Sequence, residues 1–185
     1  MSQSSFAHVS RRSLLQSAAL ASVAASLPRF ARAGNGPIVE VASGKVRGAV
    51  AEVLVCKGIP YGSSTAGEQR FKAPRPVAPW AGVRDALAYG HAAPQGNSLT
   101  PPSTRSSGIS LVGEGAKFSE DCLYLNVWTP GADNEKRPVL VWLHGGGFAS
   151  GSGGSVPYDG TNMARTEDVV VVTINHRLNV FVHLD

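Results

Sequence analysis

The sequence contains no apolar run long enough to cross a membrane as a helix. Its apolar N-terminal stretch, residues 17–27, covers roughly half of the ~20 residues that a spanning helix needs. Arg11 and Arg12 precede this stretch, and Ala31-Arg32-Ala33 follows it. A charged segment, a short apolar segment and a small-x-small site in this order predict a signal peptide over residues 1–33, cleaved after Ala33. A membrane anchor or a core helix is the alternative, which the short apolar segment disfavours.

The paired arginines also indicate a route of export. They are flanked by Ser10, Ser13 and Leu14-Leu15, a pattern typical of twin-arginine signals. A receptor of the export machinery recognises such a signal, which does not act as a membrane anchor. We expect residues 34–185 to be exported across the inner membrane to the periplasm or the medium, without a stable membrane anchor.

Charged residues are few, and the excess of positive charge is confined to the predicted signal. The chain has 17 Lys and Arg against 13 Asp and Glu, but four arginines and no acid lie in residues 1–33. The remaining chain is therefore close to neutral. Its charge does not favour nucleic acid or an anionic membrane surface as a partner.

Cysteine is scarce, since Cys56 and Cys122 are the only two. In an exported protein they could form one disulfide bond. Cys56 follows the apolar residues Val53-Leu54-Val55, where a buried free thiol is the commoner outcome. Whether the two cysteines pair stays open at this level.

Several catalytic and nucleotide-binding motifs are absent from the 185 residues. Neither G-x-G-x-x-G nor G-x-x-x-x-G-K-[ST] occurs, so the glycine-rich segments are not nucleotide-binding loops. The nucleophile motif G-x-S-x-G is also absent, because Ser64 and Ser155 each lack the second glycine. No S-x-x-K occurs either.

Extended segments are present at both ends of the mature chain. Residues 38–41, 45–50 and 53–59 predict a small antiparallel meander, and the proline-rich residues 60–117 predict a long irregular connection. One or two helical turns are expected at 161–166. Nearly all-apolar runs that predict strands lie at 123–128, 138–143 and 169–175.

The apolar runs favour central strands covered on both faces, as in an α/β sheet. Such strands need helices on both sides, and the chain has almost no helical periodicity. The 185 residues therefore predict only part of an α/β domain.

The most informative segment is His144-Gly145-Gly146-Gly147-Phe148, which directly follows an apolar run. Glycine lacks a Cβ, so its N–H can point into a cavity and approach a ligand closely. Amides aimed at one point stabilise the negative oxygen of the tetrahedral intermediate in acyl transfer. The segment matches the HGGG-type oxyanion-hole loop of lipases and esterases. The alternative is an ordinary glycine-rich turn, and His144 alone is more often structural than a proton shuttle.

The chain resembles the type-B carboxylesterases, which include para-nitrobenzyl esterases and cholinesterases. The resemblance implies an α/β-hydrolase fold, of which this chain is the N-terminal part with the antiparallel meander and the first central strands. The shared motifs, in the family's order, are Lys57-Gly58-Ile59-Pro60-Tyr61, Arg70-Phe71-Lys72-Ala73-Pro74, Ser119-Glu120-Asp121-Cys122-Leu123-Tyr124-Leu125-Asn126-Val127, His144-Gly145-Gly146-Gly147-Phe148, Gly151-Ser152-Gly153, Tyr158-Asp159-Gly160 and Asn175-His176-Arg177-Leu178.

The resemblance also implies roles for particular residues. Gly146 and Gly147 would donate their amides to the oxyanion, while Gly145 and His144 would shape the loop. Arg70 and Glu120 would form a buried structural ion pair, and Arg177 would be scaffold. The expected substrate is a small carboxylic ester, and no metal or organic cofactor is implied.

The chain departs from the family's pattern at three places. The family's serine follows the strand that ends near Asn175, so the triad of Ser, Asp or Glu, and His is expected beyond residue 185. Val182 stands where the family has a glycine. Ala93 stands where the family has the cysteine that pairs with the position of Cys122, so Cys122 is expected to lack its usual partner.

The 185 residues alone are therefore expected to be inactive and to fold poorly, with exposed sheet edges. The alternatives to an esterase are a non-catalytic, cholinesterase-like binding module and a degraded gene remnant.

Overall fold

The computed structural model describes residues 36–96, 112–113 and 115–181. The predicted signal peptide and its cleavage site lie outside these residues and stay a prediction. Short 3-10 turns occur at Gly67–Gln69, Val156–Tyr158 and Asn179–Phe181. The strands and the α-helix of the described residues are β1 (Ile38–Val41), β2 (Gly44–Arg47), β3 (Ala49–Val50), β4 (Leu54–Pro60), β5 (Val83–Asp85), β6 (Tyr124–Thr129), β7 (Val139–Leu143), α1 (Thr161–Glu167) and β8 (Val170–Ile174).

The larger of two sheets has the strand order β3-β4-β6-β8-β7. Its members pair antiparallel except for β7 and β8, which run parallel with Leu143 opposite Ile174. A parallel pair needs a crossover connection, and here that connection contains α1. The three strands predicted from apolar runs are confirmed, with small shifts at their ends.

Helix α1 packs on this sheet through one buried residue. Ala164 is fully buried and contacts Trp128 of β6 and Val171 of β8. The carboxylate of Asp159 accepts a hydrogen bond from the N–H of Thr161 at 2.9 Å, which satisfies one donor in the first turn. The short helix expected at 161–166 is thus confirmed. Within the described ranges, no helix has the length and apolar content needed to cross a membrane.

The predicted meander is divided between two sheets, so its description as one unit was wrong. β1 and β2 pair antiparallel in a three-stranded sheet, whereas β3 and β4 belong to the larger one. The chain changes sheet at Gly48, where an added Cβ would lie 2.6 Å from Sγ of Cys56 and 2.8 Å from Cδ1 of Leu54. Only glycine permits this close approach of the backbone to β4.

The connection predicted as irregular over residues 60–117 contains a strand in its described part. β5 pairs parallel with β2, and Arg47 forms an ion pair with Asp85 at 2.8 Å. Its three residues are all exposed and have no alternating pattern. β5 therefore depends on its pairing with β2, which a local sequence pattern does not reveal.

The predicted ion pair between Arg70 and Glu120 is confirmed, but its expected burial is wrong. The guanidinium donates to both carboxylate oxygens, at 2.6 and 2.5 Å. The two side chains are 45% and 18% exposed, so solvent screens the pair. Arg177 donates from Nη1 to the carbonyl of Lys72 at 2.8 Å, which agrees with a scaffold role.

Both cysteines are free and buried. Cys56 packs with Val46 and Ile59, whereas Cys122 packs in a separate cluster with Ala93 and Leu178. Burial raises the pKa of Cys56 and, with a smaller contribution from Asp121, raises the pKa of Cys122 to about 12. Both thiols therefore remain protonated and unreactive at neutral pH.

Strand β7 lies at the edge of the larger sheet, and all five of its residues are exposed. The exposed fractions of Val139, Val141 and Leu143 are 60%, 56% and 64%. The helices that would cover β7 are not among the described residues, which agrees with the expectation that the 185 residues form only part of an α/β domain. An apolar edge strand is a template for pairing with another chain.

We expect Val141→Lys to reduce self-association of the 185-residue polypeptide, because a charge on an apolar edge strand opposes edge-to-edge pairing. Light scattering at increasing protein concentration measures the effect. The matched control is Val156→Lys, since Val156 is 72% exposed but lies in a 3-10 turn outside the sheets. Equal effects of the two substitutions would show that added charge, and not the strand edge, controls association.

Candidate active site

The candidate site lies where the parallel strands β7 and β8 end. His144 to Phe148 follow Leu143 directly, and Asn175 and His176 follow Ile174. Because Leu143 and Ile174 are paired in register, the two chain segments leave the sheet side by side. This carboxyl edge is where open α/β sheets bind ligands.

The loop after β7 has left-handed backbone at consecutive positions. The φ angles are +124° at Gly146, +61° at Gly147 and +57° at Phe148. A Cβ at Gly146 would lie 1.9 Å from the carbonyl oxygen of Ser150, so no other residue fits there without movement of the loop. Gly145 has a negative φ, and a Cβ there would meet open space. Glycine is thus required at Gly146 by a clash and favoured at Gly147 by its positive φ alone, whereas neither applies at Gly145, for which a shaping role was expected.

The N–H groups of Gly146 and Gly147 are available to a ligand. The carbonyl of Gly146 accepts from the N–H groups of Ala149 and Ser150, at 3.1 and 3.2 Å, and this closes the loop. Among the hydrogen bonds of the described residues, none uses the N–H of Gly146 or Gly147 as donor. Two adjacent amides without an acceptor can stabilise a negatively charged oxygen.

His144 is a structural member of the loop in this geometry. Its side chain is buried, and Nδ1 donates to the carbonyl of Gly145 at 3.0 Å. Its ring stacks on that of His176, with centroids 4.4 Å apart and planes at 9°. Burial, and to a lesser extent the neighbouring His176, lowers the pKa of His144. The imidazole is therefore neutral at pH 7, and its protonated nitrogen is already engaged within the loop.

A network of buried polar side chains supports the next segment, residues 151–155. Gln95 brackets Gly151: its Oε1 accepts from the Gly151 N–H at 2.8 Å, and its Nε2 donates to the Gly151 carbonyl at 3.0 Å. Oδ1 of Asn175 accepts from the N–H of Gly153 at 2.7 Å, and the Thr173 hydroxyl donates to the carbonyl of Gly153 at 2.7 Å. Sequence reasoning gave Gln95 and Thr173 no role, because single polar residues carry no signal of burial.

An apolar cavity of about 500 Å³ adjoins the loop. Its wall includes Leu123, Leu143, Phe148 and Ile174, together with His176 and Arg177. A larger cavity of about 770 Å³ is lined by other residues, among them Lys57, Tyr89 and His91, and does not include residues 144–148. The smaller cavity is therefore the one that fits the predicted chemistry, since apolar walls with a few polar groups suit a small organic ligand.

The glycine loop at the end of β7 thus has two left-handed glycines whose N–H groups have no acceptor among the described residues. The model of the carboxylesterase family matches residues 35–185. The chain belongs to the carboxylesterase family.

This carboxylesterase chain is similar to phenmedipham hydrolase of Pseudarthrobacter oxydans, at 44% identity over 143 residues, and to para-nitrobenzyl esterase of Bacillus subtilis, at 43% over 145 residues. The matches cover 77% and 78% of this chain, respectively, and 28% of each relative. The chain thus spans little more than a quarter of the length of these relatives.

Solved structures support the same assignment. A carboxylesterase of Geobacillus stearothermophilus matches with a TM-score of 0.67 and 48% identity, over 78% of this chain and 27% of that one. A thermophilic PNB esterase matches with a TM-score of 0.69 and 42% identity, over 80% of this chain and 29% of the other. The type-B carboxylesterase resemblance and the α/β-hydrolase fold, present here as its N-terminal portion, are confirmed.

Because a Cβ clashes at position 146 and not at position 145, Gly146→Ala is expected to disturb the carboxylesterase loop and Gly145→Ala is not. A residue forced into an incompatible φ costs at least about 1 kcal/mol, and displacement of Ser150 adds to this. The urea dependence of tryptophan fluorescence gives the free energy of unfolding for each variant. Equal stability of the two variants would contradict the loop geometry.

Proposed function

We propose that this carboxylesterase chain is part of an enzyme that hydrolyses small carboxylic esters through an acyl-serine intermediate. Gly146 and Gly147 supply two amides of its oxyanion hole. The observation that carries the proposal is this pair of left-handed glycines, whose N–H groups have no acceptor among the described residues. The residues that flank the glycines, His144 and Phe148, line an apolar cavity.

In this reaction a serine hydroxyl attacks the ester carbonyl carbon, and a His takes the hydroxyl proton while an Asp or Glu orients the His. A carbon–oxygen bond to serine forms, and one electron pair of the carbonyl moves to its oxygen, where the two glycine amides stabilise it. Collapse of the intermediate expels the alcohol, which takes the proton from the His. Water then releases the acid by the same steps.

We infer that the serine, the acid and the His lie beyond residue 185. The 185 residues contain no G-x-S-x-G, and in this fold the elbow serine comes first in the chain order Ser, Asp or Glu, His. The amide that follows the serine would complete the oxyanion hole. The isolated polypeptide is therefore expected to hydrolyse p-nitrophenyl acetate no faster than a buffer blank.

The proposed substrate class is a small carboxylic ester. Leu123, Leu143 and Ile174 give the cavity a largely apolar wall, which suits an apolar acyl or alcohol group, and His176 and Arg177 complete the lining. The name para-nitrobenzyl esterase, carried by a relative that is 43% identical, supports the same class.

A chimera tests the proposed role directly. Residues 36–181 replace the matching part of the Bacillus subtilis para-nitrobenzyl esterase, which supplies the remainder of the fold. We expect the chimera to hydrolyse p-nitrophenyl acetate, and Gly146→Ala in it to lower kcat by roughly 100- to 1,000-fold. Gly145→Ala is the matched control and should retain most of the activity.

The chimera's thermal unfolding separates folding from chemistry. A chimera that unfolds cooperatively but is inactive, beside an active parent enzyme, would count against the proposal. Full activity of the Gly146→Ala chimera would contradict the proposal that this loop forms part of the oxyanion hole.

We further propose that the protein is exported through a twin-arginine signal in residues 1–33. Replacement of both Arg11 and Arg12 by Lys is expected to keep the chain in the cytoplasm uncleaved, because the receptor reads the arginine pair. Cell fractionation with N-terminal sequencing is the measurement, and wild type should begin at Gly34. A periplasmic double-lysine variant would exclude this route, and retention of residues 1–33 on an exported wild type would exclude the cleavage site.

A further inference from the structure

One ring contacts both ends of the glycine loop. The imidazole of His176 stacks on His144, at 4.4 Å between centroids, and also meets the ring of Phe148 at 6.1 Å and 60°. His144 is the residue before the three glycines, and Phe148 is the residue after them. The side chains on both sides of the glycines therefore contact the same residue, His176, which follows strand β8.

This matters because the glycines hold little conformation of their own. Glycine has the largest backbone freedom of any residue, so the direction of its N–H depends on the residues that anchor the segment. Of the two flanking residues, His144 is buried, whereas Phe148 is 71% exposed.

His176 itself is held firmly enough to act as an anchor. Nδ1 of its ring donates to the carbonyl of Arg177 at 2.9 Å. On one side, the carbonyl of Asn175 accepts from the Tyr61 hydroxyl at 2.6 Å; on the other, Leu178 is fully buried. The ring of His176 is thus held by its own hydrogen bond and by the restrained residues on either side of it.

The same turn also binds the backbone of the loop. The N–H of Asn179 donates to the carbonyl of Phe148 at 2.8 Å, and its side-chain amide donates to the carbonyl of Ala149 at 3.1 Å. These bonds fix the far end of the loop relative to His176. They do not reach His144, whose backbone follows the paired Leu143 and whose ring is held by its bond to the Gly145 carbonyl and by the stack on His176.

We propose that His176 is a positioning residue for the oxyanion hole, because its ring holds His144 and Phe148 and thereby sets the direction of the Gly146 and Gly147 amides. The inference rests on the proposed function for its catalytic meaning. The contact of His176 with the loop is tested by a measurement that does not depend on catalysis. The positioning role and the proposed esterase function can therefore fail separately.

The test uses the chimera described above, which contains the remainder of the fold, and three variants at position 176. His176→Phe keeps a planar ring, His176→Leu keeps apolar bulk without a ring, and His176→Ala removes both. Loop opening is measured by NMR as hydrogen exchange of the Ala149 and Ser150 amides, which bond to the carbonyl of Gly146. Exchange of the β8 amides reports the sheet. Phe71→Ala is the matched control, since it removes a stacked pair with Phe181 that does not include the loop.

We expect His176→Ala and His176→Leu to speed exchange at Ala149 and Ser150 by tenfold or more relative to β8, and His176→Phe to stay close to wild type. If His176→Ala fails to fold, the comparison of Leu with Phe decides. Equal exchange in these two variants, or the same increase in Phe71→Ala, would overturn the proposal.

The NMR titration of His144 gives a second readout that general loosening would not mimic. Burial is the larger cause of its lowered pKa and the charge of His176 the smaller one. His176→Phe should therefore leave the pKa of His144 lowered, whereas His176→Ala, which exposes the ring, should return it towards its ordinary value. A pKa that is unchanged in His176→Ala would show that His176 does not cover His144.

Discussion

The parallel pairing of β7 with β8 is the constraint on which the candidate site depends. The pairing of Leu143 with Ile174 brings the ends of β7 and β8 together, although about 30 residues of chain separate these two residues. His144 and His176 can stack only because of this register. A shift by one residue would turn every side chain of β7 to the opposite face and separate the rings.

The segment that directly follows the glycine loop is held by buried polar side chains. Gln95, Thr173 and Asn175 are buried, and each directs its polar side-chain atoms to the backbone of Gly151 or Gly153. Hydrogen bonds in such a desolvated network are stronger than bonds in water, and leaving one unmade is costly. Side chains thus fix the backbone of Gly151 and Gly153, next to the loop in which the N–H groups of Gly146 and Gly147 have no acceptor among the described residues.

The success of sequence reasoning differed between the two halves of the chain. Strands β6, β7 and β8 were predicted because each is a compact apolar run, and the HGGG segment identified the site because its chemistry is local. Strand β5 was missed because three exposed residues become a strand only through pairing with β2. The division of the meander at Gly48 depends on the close contact of this residue with Cys56 and Leu54. A local sequence pattern does not predict that contact.

By itself the sequence determined the family, the positions of β6, β7 and β8 and the position of the glycine loop, because these are properties of short contiguous segments. Tertiary structure alone decided that Gly146 needs glycine while Gly145 does not, that Arg70 and Glu120 meet at the surface, and that one ring touches both ends of the loop. Each of these results depends on residues distant in sequence or on the exact backbone angle at one position. Such contacts form only when the register of the sheet sets the distances between segments, which a pattern of residue types does not contain.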